Sequence, residues 1–250
     1  MNTPALETRG LSKKFGAITI ASDVNFRLER GARHALIGPN GAGKTTFVNL
    51  VTGRLAPSSG QILLDGQDIT AVPQADRVKR GLVRTFQISA LFPKLPVLEN
   101  VSLAIAEREG FANHLLRPAG AHRAMIEEAY ALLEPLGLAN EALRRVDELA
   151  YGRQRMIEIA MALALKPKVL LLDEPAAGVP TTESSTIVEM IEKLPKDIAV
   201  LFIEHDMELV FRVASHITVL VQGAVLVEGP PAEIAQDPKV REVYLGERKH

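Results

Sequence analysis

Nine consecutive residues, Gly38, Pro39, Asn40, Gly41, Ala42, Gly43, Lys44, Thr45 and Thr46, carry the spacing G-x-x-x-x-G-K-[ST]. They stand between an apolar run, His34 to Ile37, and a segment with helical spacing at Phe47, Leu50 and Val51. Glycines at these places let the backbone turn tightly and aim its N–H groups inward, around phosphate oxygens at the start of a helix whose dipole favours negative charge. Lys44 would reach the terminal phosphates and the Thr45 hydroxyl would ligate Mg²⁺. A plain glycine-rich turn is the other reading. From average composition the pattern arises by chance in a chain of this size on the order of once in a hundred sequences. The strand before it and the helix after it favour a nucleotide site further.

Further along the chain three more groups suit the same chemistry. Lys168 to Leu172 reads as an apolar strand that delivers Asp173 and Glu174 at its C-terminal end, where parallel sheets place their ligands. Asp173 would hold Mg²⁺, usually through water, and Glu174 would polarise the attacking water. A solvated turn is the alternative, disfavoured in a chain that also carries a phosphate loop. Ile198 to Ile203 similarly ends in Glu204-His205-Asp206, and the site context promotes His205 from a turn residue to a contact for a γ-phosphate or an in-line water. Gln87, at the end of a short strand, could reach Mg²⁺ or water while its backbone belongs to a moving segment; alone it would read as a solvated linker amide.

Two features are less specific. Phe15, in a turn between the first two strands, is either a satellite core residue or a ring that stacks on a nucleotide base. Arg153 and Arg155 fall in the first turn of an amphipathic helix, the wrong sign for its dipole at about 0.3–1 kcal/mol each. A docked anion, phosphate being the obvious one, would remove that conflict; a screened, exposed pair of arginines is the plainer reading.

These residues need a scaffold. Leu6–Leu11 and Ile18–Leu28 read as strands, with Arg30-Gly31 turning into a third at Arg33–Ile37. Gln61–Leu64 is a strand, Ala75–Arg80 a short helix and Leu82–Phe86 a short strand. Val97–Glu109, Ala121–Leu136 and Gly152–Leu165 carry helical periodicity, which places a helical subdomain at roughly 88–165. Strand and helix signals alternate from Val169 onward: helix Glu183–Leu194, strand Ile198–Ile203, helix Met207–Ala214, then a hairpin at Ile217–Val221 and Ala224–Val227 and a short helical tail to Gly246. Alternation implies a parallel, doubly covered sheet with the helical block inserted into an α/β nucleotide domain.

Composition narrows the class. The chain has 250 residues, 47% of them apolar, and a net charge of −1, so it can bury a sizeable core and lacks the basic excess that a nucleic-acid partner would require. It has no cysteine, which excludes disulfides and thiolate metal sites and fits a reducing compartment. No signal segment and no run of ~18 apolar residues is present, so a membrane role is expected to come through a partner.

In this order the motifs resemble those of the nucleotide-binding subunit of ATP-binding cassette (ABC) transporters: aromatic loop at Phe15, Walker A at Gly38–Thr46, Q-loop at Gln87, signature at Leu149–Arg153, Walker B at Val169–Asp173 with Glu174, and switch histidine His205. The resemblance runs from about Ala5 to Gly246 and implies a single domain over 5–246: an α/β P-loop NTPase with a RecA-like parallel-sheet core, an N-terminal antiparallel β subdomain and an inserted α-helical subdomain. It implies a head-to-tail dimer in which ATP and Mg²⁺ are held between one subunit's Walker A and the other's Ala150, Tyr151, Gly152 and Arg153. Closure would drive two integral-membrane permease subunits, with the cassette peripheral on the cytoplasmic face of the membrane.

Within the family, GLVRTFQISALFPKLPVLENV, LAYGRQR, DEPAAG, FIEHDMELV and YLGE are similar to the LivG-type ATPase of branched-chain amino acid importers, which act with an extracytoplasmic solute-binding protein. Importers of urea, amides and aromatic acids, and a lipopolysaccharide exporter ATPase, share much of this wording. The chain departs from the usual signature at Arg153, where glutamine is usual in this group and where arginine would strengthen attraction for phosphate or alter dimer pairing. It departs again at Pro180 and Thr181, where the family usually has Asp or Asn followed by proline. Two other classes remain: a soluble ABC protein acting on nucleic acid or ribosomes, which generally has two cassettes or long coiled coils, and a small-molecule kinase, which gives no reason for the signature helix or His205.

Overall fold

A computed structural model describes residues 3–85, 91–110, 119–179 and 181–246. Two sheets share the chain. From the N-terminus come β1 (Leu6–Phe15), β2 (Ile18–Leu28), β3 (Arg33–Ile37), α1 (Lys44–Val51), β4 (Ser59–Leu64), β5 (Gln67–Asp68), α2 (Gln74–Lys79) and β6 (Leu82–Arg84). The helices α3 (Val97–Arg108), α4 (Ala119–Leu133) and α5 (Tyr151–Ala164) follow. The chain closes with β7 (Val169–Asp173), α6 (Thr181–Lys193), β8 (Ala199–Ile203), α7 (Met207–Val213), β9 (His216–Val221), β10 (Ala224–Gly229), α8 (Pro231–Ile234) and α9 (Pro238–Gly246).

The smaller sheet has the order β2-β1-β4-β5 and is antiparallel; the larger has the order β10-β9-β3-β8-β7-β6 and is parallel except for β10. The third strand read from the sequence therefore leaves the first two and becomes an inner strand of the larger sheet. Four of its five residues are buried because both faces are covered, and Ala35 to Ile37 are apolar, whereas β1 and β2 alternate. Successive side chains of β3, β7 and β8 enter opposite cores. Ala35, Ile37, Leu170, Leu172, Val200 and Phe202 pack with the helical block, while Leu36, Val169, Leu171, Leu201 and Ile203 pack with α1 and the antiparallel sheet. In consequence β3, β7 and β8 end side by side, with Asp173 opposite Ile203, and the loops that follow them open onto one edge.

Candidate nucleotide site

The phosphate loop joins β3 to α1, and its backbone is built around glycine. Gly43, at φ +100°, lies where a Cβ would stand 2.9 Å from the Ile20 carbonyl oxygen. Helix α1 begins with no side-chain cap and no acidic residue in its first turn, so its free N–H groups and dipole face the loop. Lys44 is buried, and its Nζ donates to the carbonyls of Gly38 at 2.6 Å and Pro39 at 2.9 Å. These bonds hold the ammonium inside the loop, where an anion would be received. Thr45 is exposed. A cavity of about 320 Å³ lies over the loop, bounded by Asn40–Thr46, Ile20, Ile203, Glu174 and His205.

Parallel pairing of β7 with β8 brings the two other strand ends to this cavity. His205 Nε2 and Glu174 Oε1 are 3.1 Å apart, both partly exposed. Glu174 adopts φ +48°, in the left-handed region, and its N–H donates to the Ile203 carbonyl at 3.0 Å. Asp173, one residue earlier, is buried and does not line the cavity; its carboxylate is ion-paired with the guanidinium of Arg84. Arg84 also donates to Asn49 Oδ1 at 2.9 Å, which ties β6, β7 and α1 together beneath the loop.

Two of these residues have roles that the sequence reading passed over. From the sequence Arg84 reads only as part of a short strand, and Glu204 only as the residue before the histidine. Glu204 is buried, with Oε1 accepting from the Ala176 N–H at 3.0 Å and Oε2 from the His205 N–H at 3.1 Å. Burial pushes its carboxyl up, against the pull of the Ala176, His205 and Asp206 amides. The available signal was a charge standing next to an apolar strand, at Arg84 and at Glu204.

The remaining described candidates lie apart from the cavity. Phe15 is the last residue of β1 rather than a turn residue; it is exposed, does not line the cavity, and has Lys13 Nζ 5.0 Å from its ring centroid. Ala150 is the N-terminal cap position of α5, and Tyr151, Gly152 and Arg153 open that helix. None of the four lines the phosphate-loop cavity. Tyr151 is exposed and rests against Gly178, where a Cβ would come within 3.1 Å of its ring. Arg153 turns back into its own chain, ion-paired with Glu141 at 2.7 Å and donating to the Gly137 carbonyl at 2.7 Å. Arg155 is buried against Glu158 at 2.8 Å, and its guanidinium carbon lies 5.1 Å from the Tyr151 ring centroid. Carboxylates of the chain itself thus neutralise the two arginines that stand at the positive end of the helix dipole. Gln87 and Pro180 lie outside the described residues. No cluster of three or more His, Cys, Asp or Glu side chains fit to hold a metal occurs among the described residues, so a cation here would need phosphate oxygens among its ligands.

Comparison with known proteins gives one answer along the whole chain. A family model described as ABC transporter matches residues 21–177, and one described as branched-chain amino acid ATP-binding cassette transporter matches residues 224–250. The chain is 40% identical to the high-affinity branched-chain amino acid transport ATP-binding protein BraF of Pseudomonas aeruginosa, over 99% of this chain and 100% of the relative. It is 39% identical to the corresponding LivG protein of Escherichia coli K12, again over 99% and 100%. Among solved structures, an ATP-binding cassette of an ABC transporter in its ADP conformation superposes with a TM-score of 0.85 at 31% identity, covering 97% of this chain and 99% of the other. A nucleotide-free cassette does so with a TM-score of 0.82 at 31% identity, over 96% and 98%.

Proposed function

The chain belongs to the ABC transporter family as an ATP-hydrolysing cassette, and on that premise we propose that it drives import of branched-chain amino acids or close relatives as one half of a cassette dimer. The solute reading rests on the named roles of its relatives and on the C-terminal match over 224–250. Among the described residues no helix is long and apolar enough to cross a membrane, so two permease subunits would form the path, with the cassette peripheral on the cytoplasmic face and an extracytoplasmic binding protein delivering solute. The observation that carries the dimer is the separation within one chain of the phosphate-loop cavity from Ala150–Arg153. A second cassette, identical or not, would supply that segment.

At the half-site the residues divide the work. ATP phosphates displace the Gly38 and Pro39 carbonyls from Lys44 Nζ and take up the N–H groups of the loop and of the α1 start. By oxygen chemistry the exposed Thr45 hydroxyl and phosphate oxygens suit Mg²⁺, and the Asp173 carboxylate would join them through water once it turns from Arg84, with Gln87 as a further candidate. Bound Mg²⁺ would neutralise charge building on the phosphates. Glu174 orients and polarises the attacking water, and His205, held at 3.1 Å from it, contacts the γ-phosphate. Phe15 would stack on the base once nucleotide enters.

Glu174→Gln is expected to keep ATP binding, to lower turnover by about 100-fold or more, and to accumulate a closed dimer on ATP addition by size-exclusion chromatography. Unimpaired steady-state hydrolysis in that variant would remove Glu174 from its role. For the partners, capture from detergent-solubilised membranes is expected to recover two permeases; recovery of ribosomes instead would overturn the transport reading. Proteoliposomes bearing the recovered complex and binding protein are expected to take up labelled leucine in competition with isoleucine and valine.

A further inference from the structure

Four groups on two adjacent strand ends close into a ring. Glu174 leaves β7, and its side chain meets His205, which leaves β8. The return path runs through Glu204, whose carboxylate takes the N–H of Ala176 with one oxygen and the N–H of His205 with the other. Ala176 lies two residues after Glu174, in a turn held by the bonds Ala177 N–H to Glu174 carbonyl and Val179 N–H to Ala176 carbonyl.

The strengths within the ring are unequal. The Glu174–His205 contact joins side chains that are 29% and 47% exposed, so water competes for both partners and that contact alone cannot fix their separation. Glu204 is 5% exposed, and bonds from backbone N–H groups to a buried carboxylate are about twice as strong as neutral ones. A carboxylate also suits the place by valence: both of its oxygens accept from backbone N–H groups, whereas an amide would turn its own NH₂ toward one of them. Glu174 further occupies a left-handed backbone conformation that a non-glycine residue holds only when its surroundings fix it.

We propose that Glu204 is a positioning residue for ATP hydrolysis, a buried clip that fastens the 174–179 turn to the backbone of His205 and so sets the Glu174–His205 geometry. The proposal rests on the ATPase reading above for its kinetic arm only. Because Gly178 in the same turn lies against Tyr151, the clip also joins the hydrolytic pair to the start of α5, the segment this chain would present to a partner cassette.

The test uses the full chain and three variants: Glu204→Ala, Glu204→Gln and Glu204→Ala combined with His205→Ala. In the nucleotide-free chain, Glu204→Ala is expected to speed amide hydrogen exchange at both Ala176 and His205, and Glu204→Gln, which keeps volume and one acceptor, at one of them. With ATP, Glu204→Ala is expected to lower kcat about 10- to 100-fold and leave KM for ATP within about twofold, with Glu204→Gln intermediate. A residue that only supports the fold would lower the melting temperature and leave kcat per folded molecule unchanged. In the His205→Ala background the loss of Glu204 is expected to add less than about twofold. Parental exchange at Ala176 and His205, parental kcat in a folded Glu204 variant, or losses that multiply in the double variant would each overturn the proposal. Should Glu204→Ala fail to fold, the same readouts on Glu204→Gln decide. A parent chain that hydrolyses no ATP would instead count against the function proposed above, and the exchange measurement would still decide the clip.

Discussion

Arg84 belongs to a strand whose register with β7 sets Arg84 opposite Leu171, which lets its guanidinium reach both Asp173 and Asn49. The Arg84 and Asp173 side chains are 11% and 6% exposed, so removing one leaves the other buried and unpaired. Arg84→Gln is therefore expected to cost about 3 kcal/mol in urea unfolding. Combined with Asp173→Asn it should cost clearly less than the two single losses added together, because neither charge is then stranded. Additive losses would mean that the pair is not a unit. The same register explains which site residues were legible. Gly38–Thr46 is contiguous, so its chemistry could be read directly from spacing. Arg84 and Asp173 are 89 positions apart and meet only through strand pairing, which no local pattern in the sequence records.

Elements were more legible than the contacts between them. The apolar runs of β7 and β8 and the helical spacing of α3 and α5 fixed each within a few residues, because burial on both faces or on one stripe writes a period into the sequence. What escaped was sheet membership, since the apolar end of β3, Ala35 to Ile37, reads the same whichever sheet receives it. The start of α5 shows a subtler gap. In the sequence Arg153 is an uncompensated charge at a helix start, yet Glu141, 12 residues earlier, returns to meet it. Their side chains are 31% and 19% exposed, so solvent discounts the pair, and Arg153→Gln is expected to cost about 1 kcal/mol. In a domain of this size that is a fall in melting temperature of about 2–4 °C. An unchanged melting temperature with weakened ATP-dependent dimerisation would instead assign Arg153 to the partner's phosphates.

The two sheets are joined around a buried histidine, and this makes the stability of the whole molecule depend on pH. His34 on β3 is 2% exposed; its ring lies 4.7 Å from that of Phe26 on β2 and 4.9 Å from that of His216 on β9, and its Nε2 is 2.8 Å from Thr218 Oγ1. Burial first, and the neighbouring His216 second, lower its pKa from 6.5 to about 3. The unfolded chain therefore binds a proton at this position near pH 6.5, whereas the folded chain refuses it until about pH 3. Stability is full above pH 6.5 and falls as the pH drops through the window down to 3, since the unfolded state holds more protons there. Between pH 7.5 and pH 5 this one residue should remove about 2 kcal/mol. The comparison that isolates it is His34→Gln, close in size and able to keep a hydrogen bond to Thr218. The unfolding free energy of the parent minus that of the variant is expected to fall by about 2 kcal/mol over that range, whatever its value at pH 7.5. Parallel pH profiles would show that the imidazole at the joint between the sheets does not carry the acid sensitivity.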